Sequence, residues 1–176
     1  ASGIIGYETI AKAAPDGYTL GYAAFPFITN RLTHAKLPYD SEKDFQPVVL
    51  QVAGTNVMTV TPALPVRSVR ELADHARAHP GKLSYGSTGN GTSQQLSVEL
   101  FKNMTGTQIV QVYYKGMQQA MMDTIAGQLQ VIVENAPSIV PHVQAGRLRA
   151  IGVTGLKRIP IRSEEHTSEL QSLAYL

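Results

Sequence analysis

The sequence predicts an α/β fold built on a parallel or mixed sheet, and three observations predict it. From residue 57 onward, short β-rich runs alternate with helical patterns of about ten residues, the arrangement of strands joined by crossover helices. Gly and Pro punctuate the junctions, as at Pro80-Gly81 and Gly146. The hydrophobic fraction, 43% of 176 residues, is enough to bury a core.

The elements follow in order. Ser2-Gly3 precedes a helical stretch over residues 4–14, with Ile5, Ile10 and Ala13 on its apolar side. Pro15-Asp16-Gly17 is a turn signal, and Tyr18–Tyr22 reads as a strand. A loop over 23–29 leads to a short helix opened by Asn30. Val48–Val52 and Val57–Val60 are β-rich runs separated by Ala53-Gly54. Ser68 with Glu71 three residues later forms a capping box that starts a helix over 68–79, stopped by Pro80-Gly81. Leu83–Tyr85 is a strand, followed by a Gly/Ser/Thr loop and a helix through Met104. Strands at 108–113, 130–134 and 148–153 alternate with helices at 117–126 and 137–145. Met117, Met121 and Met122 form a helical stripe that reads as core.

Composition excludes several function classes. The chain has no Cys, which removes disulfides, thiolate chemistry and Cys-ligated zinc. A formal charge of +2 without a Lys/Arg block gives no footprint for nucleic acid. No apolar run approaches ~18 residues, so nothing reads as inserted in a membrane. His75 and His79 have the i,i+4 spacing of metal ligands, but no acidic residue completes the set and Pro80 follows. No nucleophile–base pair is visible, so the chain does not read as an enzyme, and neither metal nor cofactor is expected. The chain starts at Ala1 rather than Met and reads as a fragment.

The chemistry concentrates between the strand at Leu83 and the helix that follows. Gly86, Ser87, Thr88, Gly89, Asn90, Gly91, Thr92 and Ser93 put glycines and hydroxyls at a helix start. Glycine lets a ligand approach the backbone, and a helix start offers unpaired N–H groups at a positive dipole end. The pattern is an anion site without a cation. Gly86 and Gly91 have P-loop spacing, but Thr92 stands where the Lys should be. A dinucleotide fingerprint needs Gly at position 94, which is Gln94, and neither Ser87 nor Ser93 sits in a nucleophile elbow. Neutral donors suit a carboxylate. From the spacing alone, a solvated βα loop with an ordinary N-cap remains the alternative.

Five separated motifs then carry a resemblance. They are Ala11-Lys12-Ala13-Ala14-Pro15-Asp16-Gly17-Tyr18-Thr19-Leu20, Leu37-Pro38-Tyr39-Asp40 with Asp44-Phe45-Gln46-Pro47-Val48, the loop from Tyr85 through Phe101, Tyr114-Lys115-Gly116, and Ala145-Gly146-Arg147-Leu148-Arg149-Ala150. Over about residues 1–158 the chain resembles the solute receptors of tripartite tricarboxylate transporters, the Bug family. The resemblance implies a type II periplasmic-binding-protein fold, with one nearly complete lobe plus part of the second. Residues 1–52 would be the partial first lobe, 53–152 the second lobe, and 153–161 the start of the return. It further implies a periplasmic protein that binds a small carboxylate, held mainly by backbone amides from both lobes, and passes it to membrane subunits of the transporter. Gln94, Tyr113 and Glu134-Asn135 depart from the family pattern, which has His, Pro and Asp at those places.

Asn135 opens the next helix from a strand end, where open α/β sheets bind ligands, and it is either a ligand donor or a plain cap. Phe25, Thr29 and Asn30 resemble the family's second ligand loop, or else form a capped turn. Lys115 ends a strand on the same side and reads as a solvated charge. Two other classes share parts of this pattern: the effector lobe of a transcription regulator and a carboxylate-processing enzyme. The string Arg162–Ser172 reads as the in-frame translation of a common sequencing adapter, so residues 162–176 are expected to be a non-native tail without function.

Overall fold

The computed structural model describes residues 3–155. The tail expectation, residues 162–176, lies outside them. Two helices come first, α1 (Ile4–Ala11) and α2 (Phe25–Thr33). Strands and helices then alternate: β1 (Asn56–Val60), α3 (Val69–Ala78), β2 (Leu83–Ser87), α4 (Ser93–Thr105), β3 (Ile109–Tyr113), α5 (Met117–Ile125), β4 (Val131–Asn135), α6 (Ala136–Gln144) and β5 (Arg149–Val153).

The strands form one mixed sheet in the order β3-β2-β4-β1-β5. β2 runs parallel to β3 and β4, while β1 runs antiparallel to β4 and β5. The pleat sends alternate residues to opposite faces. Met58 and Val60 on β1, Tyr85 on β2 and Val131 and Val133 on β4 pack with Leu72 and Ala76 of α3 and Val98 and Phe101 of α4. Val57 and Ile132 point to the other face and pack with Ala120 and Met121 of α5 and Ile139 of α6. The sheet is therefore covered on both faces, which explains why β1 is buried along its whole length.

Local chemistry fixes the helix starts. Ser68 Oγ accepts from Glu71 N at 3.1 Å, and Glu71 Oε2 accepts from Arg67 N at 2.8 Å, so the capping box closes one residue further back than the usual pattern. Pro137 sits in the first turn of α6, where its missing N–H costs nothing. Tyr85, buried on β2, donates its hydroxyl to Glu99 Oε1 on α4 at 2.8 Å. Burial, reinforced by that hydrogen bond, holds its pKa above the ordinary tyrosine range.

Several expectations fail in the first third of the chain. Tyr18–Tyr22 and Val48–Val52 form no strand, and no ladder partner lies beside them among the described residues. Tyr18 is 93% exposed and Leu50 83%. On α1 the buried residue is Tyr7, whereas Ile5 is exposed. α2 starts at Phe25, so Asn30 lies inside it rather than at its cap. What organises this region is an aromatic cluster. Tyr7 and Phe45 meet Phe27 edge-on, with centroids 5.1 and 4.9 Å away, and Tyr39 packs against all three rings. In the methionine stripe Met121 is buried and Met117 partly so, but Met122 is half exposed.

Hydrogen exchange should follow this division. Amides of β1 to β5 should exchange slowly and those of residues 18–22 and 48–52 rapidly, since only the former lie in hydrogen-bonded ladders. Equal protection of the two sets would contradict the assignment.

Candidate functional site

β2, β3, β4 and β5 end at one edge of the sheet, and antiparallel β1 begins there. The same edge carries the loop over 88–92, the starts of α4 and α6, and the two places where the chain enters and leaves the sheet region, Thr55 and Thr154. Open α/β sheets bind ligands beyond such an edge.

Within the loop, the hydroxyls are used to build it. Ser87 Oγ, fully buried, donates to Gly89 O at 3.2 Å and accepts from Gly89 N at 3.1 Å. Thr92 Oγ1 donates to the same carbonyl at 3.2 Å and accepts from Gln95 N at 3.3 Å, making Thr92 the N-cap of α4. Thr29 Oγ1 reaches across from α2 and donates to Gly91 O at 2.6 Å. Gly91 N donates to Gln95 Oε1 at 3.2 Å. Positive φ at Gly89 (144°) and Gly91 (79°) lets the loop make this turn. The Gly89 carbonyl is thus satisfied within the loop and the Gly91 carbonyl from α2. The first-turn N–H groups of α4, on Ser93 and Gln94, precede the first helical bond, Leu96 N to Thr92 O at 3.0 Å. They stand at the positive end of a helix of 13 residues. Such an arrangement receives an anion through backbone amides.

A side-chain network runs from the chain crossing to the second helix start. Asn56 Nδ2 donates to Ser93 Oγ at 3.1 Å, and Ser93 Oγ to Gln94 Oε1 at 3.2 Å. Gln94 Nε2 donates to Glu134 Oε1 at 3.3 Å. The same oxygen accepts from Asn135 N at 2.7 Å and Asn135 Nδ2 at 2.9 Å. Thr55 and Thr154 are joined through their hydroxyls at 3.2 Å, and Asn56 N donates to Thr154 Oγ1 at 3.0 Å.

The sequence-predicted residues therefore divide by what they touch. Thr29 is brought onto the loop, and Asn135 sits at the same sheet edge with its amide on Glu134. Asn90 is exposed at the loop tip and accepts from Tyr113 OH at 3.0 Å. Thr88 lies half-buried beside it. Gly86 is buried, and a Cβ there would lie 2.6 Å from Ala120 Cβ, so this glycine lets α5 close on β2. Asn30 is buried, with Nδ2 donating to Tyr39 OH at 3.2 Å in the aromatic cluster. Phe25 is exposed at the first position of α2. Lys115 is exposed. His75 and His79 stack at 4.4 Å, and among the described residues no group of three or more His, Asp or Glu is placed to hold a metal. Asn56 and Thr154 escape sequence reading because only the antiparallel pairing of β1 with β5 brings residues 98 apart into contact.

Comparison with known proteins places these features in a family. The family described as tripartite tricarboxylate transporter family receptor matches residues 1–164. A protein from Pseudomonas sp. strain P51, described only by its place between two genes, is 35% identical over 158 residues, covering 90% of this chain and 47% of its own length. A solved R. palustris protein, Rpa4515 with adipate, is 37% identical with a TM-score of 0.87, over 98% of this chain and 56% of that one. The periplasmic binding protein BugD is 26% identical with a TM-score of 0.82, over 91% and 54%. The chain spans about half the length of the curated relatives it matches. The fold is that of periplasmic binding proteins, and the family is one of receptors rather than enzymes. On the family match and the identity of its relatives, this chain belongs to the tripartite tricarboxylate transporter receptor family.

Proposed function

We propose that the chain is the ligand-binding part of a periplasmic receptor that captures a small organic carboxylate and presents it to the membrane subunits of a tripartite transporter. The observation that carries the reading is the α4 loop. Its Gly89 and Gly91 carbonyls are taken by Ser87, Thr92 and Thr29, while backbone N–H groups at the helix start stand for the ligand. The R. palustris relative solved with adipate supports a carboxylate as that ligand. BugD, a periplasmic binding protein, supports the compartment, and among the described residues no helix is long and apolar enough to cross a membrane. Thr29 on α2 would brace the loop from the other lobe through its bond to Gly91 O.

A thermal-shift panel of mono-, di- and tricarboxylates tests this. A true ligand at ~100 times its dissociation constant should add ~2.7 kcal/mol of stability. No shift with any member of the panel would overturn the proposal.

A further inference from the structure

Glu134 is a buried carboxylate, 6% exposed, at the end of β4. All three of its hydrogen-bond donors, Gln94 Nε2, Asn135 N and Asn135 Nδ2, are neutral amides on one oxygen, Oε1. No cation lies within ion-pair distance of it among the described residues. Its charge is offset instead by the starts of α4 and α6, through Gln94 in the first turn of one and Asn135 at the cap of the other. A buried carboxylate without a cation is costly, and proteins keep such groups where they serve a site. Oε2 takes no hydrogen bond from the described residues, yet it is not among the sealed polar atoms left without a partner, which include Gln111 Nε2 and His142 Nδ1. That oxygen keeps an unfilled capacity to accept.

We propose that Glu134 sets ligand preference: it selects carboxylates that carry a hydrogen-bond donor, a hydroxyl or an ammonium group, and disfavours a second ionised carboxylate near α4. The inference rests on the carboxylate reading of the loop. A ligand carboxylate on the first-turn amides of α4 shares that helix end with Glu134, one Gln94 side chain away. Two anions at the same helix end repel, whereas a donor group on the ligand fills Oε2.

The test is calorimetric binding of three four-carbon acids, succinate, malate and aspartate, to the full chain and to Glu134→Gln. With the native residue, malate or aspartate should bind at least about tenfold more tightly than succinate. Glu134→Gln should shrink that ratio below about threefold, chiefly by strengthening succinate. The three acids on the native chain are decisive even where the variant does not fold. Binding of all three acids without discrimination overturns the inference alone. A ratio unchanged in a folded Glu134→Gln variant does the same. Failure of all three acids to bind, in a chain that other carboxylates do stabilise, also overturns the inference while leaving the carboxylate reading standing. Failure of every carboxylate overturns both.

Discussion

Leu72→Ala should lower the unfolding free energy by about 2–5 kcal/mol. Leu72 is fully buried on α3, in the core layer shared with Met58, Val60, Tyr85 and Val133. Truncation removes the side chain's transfer free energy and leaves a cavity between helix and sheet that strands buried on both faces cannot collapse to fill. The midpoint of urea unfolding should fall with little change in its slope. Leu32→Ala on α2 is the matched control. Leu32 is 82% exposed, so its loss should change stability by less than about 0.5 kcal/mol. Equal effects from the two truncations would show that the core has been misplaced.

Gly91→Val should abolish carboxylate-induced stabilisation. At φ +79° a β-branched residue is strained, by about 1–2 kcal/mol. The new Cβ would also stand 3.2 Å from Thr29 Oγ1 and 3.5 Å from Thr33 Cγ2. The variant therefore presses on α2 and on the 2.6 Å bond that ties α2 to the loop. Gly81→Val separates strain from site. Gly81 has a similar φ, +71°, with nothing within 4 Å of its Cβ, and it lies in the turn between α3 and β2. Both variants should melt earlier, but only Gly91→Val should lose the ligand response. A persistent response in Gly91→Val would remove the loop from the site.

The regular part of the fold is legible because local and global signals agree there. Ser68 and Glu71 announce α3, Gly106 follows α4 in the left-handed conformation, and apolar runs of strand length mark β1 to β5. The same reading misfires at Tyr18–Tyr22 and Val48–Val52, where the residues favour strands but nothing pairs with them among the described residues. A β-rich run reports a preference for a partner, and the partner is not a local property. The site is half legible for a related reason. Glycines and hydroxyls at the start of α4 identify the loop, but their division of labour does not follow from composition. Ser87 and Thr92 read as donors to a ligand, and the structure turns both onto the Gly89 carbonyl. Glu134 reads as a departure from a family pattern, whereas its role as the meeting point of Gln94 and Asn135 requires β4 to lie beside β2.

The pairing of Thr55 with Thr154 has a mechanical consequence. Both chain crossings lie at the same end of the antiparallel β1–β5 ladder, where Val57 stands opposite Val153. Tension drawn apart between these crossings loads the ladder one rung at a time, from Thr154 inward, instead of shearing all rungs together. The hydroxyl contact and the Asn56 N to Thr154 Oγ1 bond are the first rungs to open. A small pull therefore separates the crossings while the opposite end of the ladder, at Val60 and Arg149, stays zipped. The joint yields by peeling, and the sheet beyond it behaves as one stiff plate.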